Sequence, residues 1–146
     1  MMQYIWKQYN KYREAINYLI FGFLTFVVNT VIYRLTASAI GARNDRPDLT
    51  LIANLIAWII AVLFAYWTNR TFVFQSKVTG KKGRIKEFLG FLGARVATGV
   101  LDQVMMIVMT YYLNIDDLIA KIVCNIFVIV ANYFFSKFII FRKVDQ

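Results

Sequence analysis

The chain has 146 residues, 60% of them hydrophobic, with a formal net charge of +9, one cysteine and no histidine. A mean hydropathy of +0.55 leaves too little polar surface to clothe a soluble domain of this size. The lack of imidazole removes histidine chemistry, and a single cysteine, Cys124, rules out an internal disulfide.

At the N-terminus, Ile5, Tyr9, Tyr12 and Ile16 recur at helical spacing, with Lys7, Lys11 and Glu14 elsewhere on the wheel. This predicts a short amphipathic helix at the membrane interface, anchored by Trp6. So basic and aromatic a start is not expected to be a cleavable leader. Four long apolar stretches follow, at about 17–40, 49–74, 88–113 and 118–141. Each exceeds the ~20 residues that a helix needs to cross ~30 Å of hydrocarbon. Backbone in lipid must satisfy its own hydrogen bonds, so each stretch is read as a helix. The expected class is all-α, an integral membrane four-helix bundle forming a single transmembrane domain over residues 1–146. Gly41 and Pro47 punctuate the connection between the first two spans. From Gln75 to Lys86 a flexible basic connector is expected.

The charges orient these spans. Lys7, Lys11 and Arg13 flank the first. Arg70, Lys77, Lys81, Lys82, Arg84 and Lys86 lie between the second and third, opposed only by Glu87. Lys137, Arg142 and Lys143 follow the fourth, against Asp145. In the first hairpin connection Arg43, Asp45, Arg46 and Asp48 cancel, and the second carries Asp116 and Asp117 with Lys121 just beyond. Positive loops stay inside, which places both termini and the 75–87 loop in the cytoplasm of a multi-pass cell-membrane protein. The net charge is then a topology signal, with anionic lipids as neighbours. No nucleic-acid partner is expected, because no soluble module is long enough to bind one.

The spans read as two related halves. Tyr66-Trp67-Thr68-Asn69-Arg70-Thr71-Phe72-Val73-Phe74 closes the second span, and Tyr133-Phe134-Phe135-Ser136-Lys137-Phe138-Ile139-Ile140-Phe141 closes the fourth. The starts of the first and third align through Gly22 and Gly90, within Ile20–Leu24 and Phe88–Leu92. The expectation is two parallel two-helix repeats, with chance likeness among apolar helices as the competing account.

Polar residues inside the spans hold the functional information, since a charge in hydrocarbon costs at least ~2.5 kcal/mol. Arg95 and Asp102 stand two helical turns apart on one face of the third span, with Thr98 between them and Gly99 beside them. At that spacing each is expected to find its partner on another helix or on a ligand. Two readings stay open: a polar bolt for the bundle, or a site where Arg95 meets an anionic headgroup. Arg34 reads as a snorkelling residue near the outer interface. Asn29, Asn54, Asn125 and Asn132 are also intramembrane, and Gly22 and Asn29 repeat the spacing of Arg95 and Asp102. Interhelical hydrogen bonding is the default for each asparagine. No metal-ligand cluster, phosphate-cradling glycine loop or nucleophile elbow is visible. The chain is therefore not expected to be an enzyme or to need a cofactor.

Three blocks of residues resemble the GtrA-like family of small four-span membrane proteins. They are Tyr66, Asn69, Arg70 and Phe72-Val73-Phe74; then Lys86, Phe88, Arg95 and Asp102; then Asn132-Tyr133, Ser136-Lys137 and Phe141-Arg142. The likeness runs from about Tyr18 to Lys143. It implies a role in cell-surface polysaccharide or teichoic acid glycosylation, by translocation (flipping) of a polyprenyl-phosphate-linked sugar across the membrane. The positions it marks for the lipid phosphate and sugar are Tyr66, Asn69, Arg70, Arg95, Asp102, Asn132 and Lys137. Asn29 joins them from its place inside the first span. Arg70 and Lys137, alike in the two halves, are expected to collect phosphate at the cytoplasmic face, or simply to anchor the helix ends. A homo-oligomer, or a complex with a membrane glycosyltransferase, is expected because one small bundle encloses little space. Two alternatives remain: a non-transporting accessory subunit of the glycosyltransferase, and a small multidrug-type exporter. The first span carries no acidic residue of the kind such exporters use.

Overall fold

The computed structural model describes residues 1–42 and 46–141. Arg43, Asp45, Arg142, Lys143 and Asp145, counted above among the flanking charges, lie outside the described residues, as does the side chain of Asp117. The described chain is helical, and four helices are long and apolar enough to cross a membrane. It divides into two compact units, Met1–Gln75 and Ser76–Gln146. Each is a helical hairpin.

The first hairpin opens with α1, a 39-residue helix over Met2–Ile40. The amphipathic N-terminal segment is helical as its periodicity predicts, yet it forms the first turns of α1 and not a separate element. No glycine or proline interrupts the chain before Gly22, so nothing breaks the hydrogen-bond ladder there. α1 ends at Gly41, whose φ of 70° turns the chain while its N–H returns to the Ala37 carbonyl. α2 spans Pro47–Thr68, with Pro47 where a missing N–H costs nothing. It faces α1 with Ala53, Ala57, Ala61 and Ala65, all buried, one per turn. Side chains this small let two backbones approach closely, and packing of that kind holds helices together in lipid. α2 then runs into a π-helical turn, Asn69–Val73. Phe74 follows, buried against Tyr18 of α1 at 6.3 Å between ring centroids.

The second hairpin repeats the plan. α3 covers Lys81–Ile107 and passes into a π-helical turn, Val108–Tyr112. α4 covers Asp117–Phe135, its first N–H groups (Leu118 and Ile119) capped by the Asp116 carboxylate. A further π-helical turn, Ser136–Ile140, closes the unit. Phe141 is buried against Phe91 of α3 at 6.1 Å. The inner stripe of α4 is Ala120, Cys124 and Asn132, continued by Ser136 of the closing turn.

Two further sequence expectations are corrected. The connector does not extend to Lys86, because α3 begins at Lys81. The Ser76 hydroxyl donates to the Glu87 carboxylate at 2.6 Å and accepts the Val78 N–H, so the short link is tied to the helix. Charged residues form the first turns of α3, which is why hydropathy alone starts that span too late. The second correction concerns the repeat. Its second helices align as expected, since Asn69–Val73 and Ser136–Ile140 are both π-helical. Its first helices do not align through Gly22 and Gly90. Tyr18 meets Phe74 as Phe91 meets Phe141, so Tyr18 matches Phe91. In that register Glu14 falls on Glu87, Thr25 on Thr98, Asn29 on Asp102 and Gly41 on Asn114. Gly41 and Asn114 both have positive φ, which supports the match at its far end.

Candidate functional site

In the second hairpin a polar track runs along the face of α3 that meets α4. Phe91 is buried at its start, and the Arg95 guanidinium lies 5.1 Å from the centroid of that ring. This contact holds the cation by the ring quadrupole. Arg95 Nε is buried and has no hydrogen-bond partner among the described residues. One turn on, the buried Thr98 hydroxyl donates to Asn132 Oδ1 of α4 at 2.9 Å. A further turn on, Asp102 Oδ2 accepts Lys121 Nζ of α4 at 3.1 Å. The Asp102 side chain is 14% exposed and that of Lys121 48%. Asp102 Oδ1 is buried and unpartnered.

Asp102 thus takes its partner from another helix, as its distance from Arg95 requires. That partner, Lys121, is the residue that sequence reading missed, because it was grouped with the connection charges. The available signal is its position inside the fourth apolar stretch, 118–141, where a charge calls for a partner. The track can do two things chemically. It offers a half-buried guanidinium with a buried Nε donor to spare, and a carboxylate whose counter-ion sits on a flexible stem.

Lys137 is the second residue of the closing π-helical turn. Its ammonium lies 5.6 Å from the Tyr133 ring and 5.7 Å from that of Phe138. Its counterpart in the first hairpin is Arg70, second residue of Asn69–Val73. There Asn69 donates from Nδ2 to the Ala65 carbonyl at 2.8 Å, while its Oδ1 is buried without a partner. Tyr66 lies one turn before Arg70 on α2. Asn29 is half-buried on α1 at the position equivalent to Asp102. The eight candidate positions therefore divide evenly: Asn29, Tyr66, Asn69 and Arg70 in one hairpin, and Arg95, Asp102, Asn132 and Lys137 in the other.

The hairpins differ most where the polar track lies. By register Asn29 and Asn54 occupy in the first hairpin the places that Asp102 and Lys121, an ion pair, hold in the second. Asn54 also lines an open cleft of about 620 Å³ with Tyr33 and Thr50. Ala65 stands in the place of Asn132, and Thr25 hydrogen-bonds to its own helix at the Phe21 carbonyl.

Comparison with known proteins adds the following. The family model for the GtrA/DPMS transmembrane domain matches residues 17–141. A Listeria monocytogenes protein named cell wall teichoic acid glycosylation protein GtcA is 42% identical over 125 residues, covering 86% of this chain and 82% of that protein. A protein of the same name from Listeria innocua is 38% identical over the same shares. The membrane protein YwcD of Bacillus subtilis is 33% identical over 129 residues, covering 88% of this chain and 97% of its own. No solved structure matches the chain.

Proposed function

Because this chain belongs to the GtrA/DPMS transmembrane-domain family, we propose that it serves cell-wall glycosylation by moving a polyprenyl-phosphate-linked sugar across the membrane. The observation that carries this reading is Arg95. It is a cation well inside a membrane-length helix, seated on Phe91, with a buried Nε that meets no acceptor among the described residues. A guanidinium so placed is costly unless an anion joins it, and phosphate takes its planar fork bidentately.

The other residues follow as roles around that headgroup. Arg70 and Lys137 collect phosphate at the helix ends, which the positive-inside rule puts in the cytoplasm together with both termini and the 75–87 loop. Asp102 exchanges Lys121 for a polar group of the passing ligand, with Asn29, Asn69, Tyr66 and Asn132 replacing water around the sugar. The chain itself transfers no sugar. That step belongs to a membrane glycosyltransferase acting beside it, with the chain as a homo-oligomer among anionic lipids. The relatives' names speak of glycosylation and not of transport. They equally favour a non-transporting subunit that positions the glycosyltransferase.

The test is reconstitution of the purified protein in vesicles with a labelled polyprenyl-phosphate sugar. Transbilayer movement in the wild type, lost in Arg95→Ala, is the expected result. Absence of movement, with glycosyltransferase activity stimulated when the two proteins are reconstituted together, overturns translocation in favour of the accessory role.

A further inference from the structure

Along one flank of the second hairpin, beside the polar track, lies a groove of about 690 Å³. Gly90, Gly93, Ala94 and Ala97 of α3 form its floor, Phe135, Ile139 and Ile140 line its wall, and Lys86 lies near its Gly83 end. It extends from Gly83 to Ala97, about 21 Å along the helix. The first hairpin has the same backbone plan and shows what fills this place otherwise. There Ile20, Phe21 and Leu24 stand where Gly93, Ala94 and Ala97 stand here, and Phe72 stands where Ile139 does. Phe21 stacks on Phe72 at 5.3 Å with the rings 13° apart. The second hairpin has exchanged a stacked aromatic pair for open length.

We propose that this groove holds the isoprenoid chain of a polyprenyl phosphate, with the phosphate against Lys86. The inference rests on the translocation reading and gives it a loading position. Three features select that occupant. The groove is long and apolar, so it takes a chain and not a ring. Its glycine and alanine floor lets a methyl-branched chain lie close to the α3 backbone, against Phe135, Ile139 and Ile140. A cation stands near one end: Lys86 lines the groove there, while the Glu87 carboxylate beside it is buried and engaged by the Ser76 hydroxyl at 2.6 Å. An anionic head with a slender branched tail matches charge and shape together. A phospholipid brings two straight chains to a single slot.

The experiment uses the full chain in phosphatidylcholine vesicles and a diazirine-bearing polyprenyl monophosphate. The expected result is residue-level labelling at Gly90, Gly93 and Ile139, competed by unlabelled polyprenyl phosphate and not by phosphatidylglycerol. Ala94→Phe with Ile139→Phe restores the pair that the first hairpin already packs, so the double variant is expected to fold with unchanged melting. It is expected to lose labelling about tenfold. Lys86→Ala lowers labelling by the phosphate and leaves labelling by a diazirine-bearing polyprenol unchanged. Undiminished labelling in the double variant, or equal competition by phosphatidylglycerol, overturns the proposal. So do disulfide-linked dimers through Ala97→Cys in place of labelling, which seat a second copy in the groove. Specific labelling elsewhere, with none in the groove, overturns the groove and leaves translocation standing. No specific labelling anywhere overturns both.

Discussion

Asp102 and Lys121 illustrate how a single pair carries two questions at once, stability and function. Removing either charge leaves the other in a low-dielectric setting without its counter-ion. Because Lys121 is nearly half exposed, the loss is smaller than for a fully buried pair. Asp102→Asn or Lys121→Asn alone is expected to cost about 1–3 kcal/mol, read as a lowered melting temperature in detergent. The first hairpin indicates how to separate the two roles, since it carries Asn29 and Asn54 at these places. The double variant Asp102→Asn with Lys121→Asn is therefore expected to regain most of the lost stability while glycosylation stays absent. If glycosylation returns together with stability, the pair is only a bolt. The sequence shows Arg95, Thr98 and Asp102 on one face, because their spacing is a property of any helix. It does not show Lys121 reaching them, because that depends on where α4 starts and how the two helices cross.

The elements themselves were largely legible. Span existence follows from hydropathy, and the turn at Gly41 follows from glycine's freedom at positive φ. The π-helical turns were not, since a widened ladder leaves no mark in composition. Nor was the register of the first helices, where Gly22 and Gly90 invite an alignment that apolar neighbours cannot refute. The true register lay in the matched spacing of Gly22 to Asn29 and Arg95 to Asp102. Two outcomes follow at this scale. Ala57 is fully buried where α2 meets α1, so Ala57→Leu is expected to force the helices apart at about 1–3 kcal/mol. Ile56→Leu, on the exposed side of α2, is the neutral control, and both are read by thermal unfolding. Ser76→Ala removes the hydroxyl that ties the link to Glu87. Hydrogen exchange at residues 77–80 is expected to quicken, with a stability cost of about 1 kcal/mol.

For the whole molecule, parity and charge argue together. Each hairpin returns the chain to the side from which it started, whatever that side is, because each contains two membrane-length helices. If both helices of each hairpin cross, both termini and the Gln75–Gly80 link share one face of the membrane, and both hairpin connections the other. The excess of lysine and arginine near that face carries our proposal that it is cytoplasmic. Cys124 supplies a clean background for the measurement: it is buried, and its counterpart in the first hairpin is Ala57, so Cys124→Ala should pack without strain. In that background, Gln3→Cys and Thr79→Cys are expected to react with an impermeant maleimide only after the cells are opened, and Leu113→Cys in intact cells. Reaction of Gln3→Cys and Thr79→Cys from opposite sides would show that α1 and α2 do not cross as a pair. The cytoplasmic loading position built on Lys86 requires that residue to share the face reported by Thr79, so the same labelling experiment fixes where a phosphate can first be met.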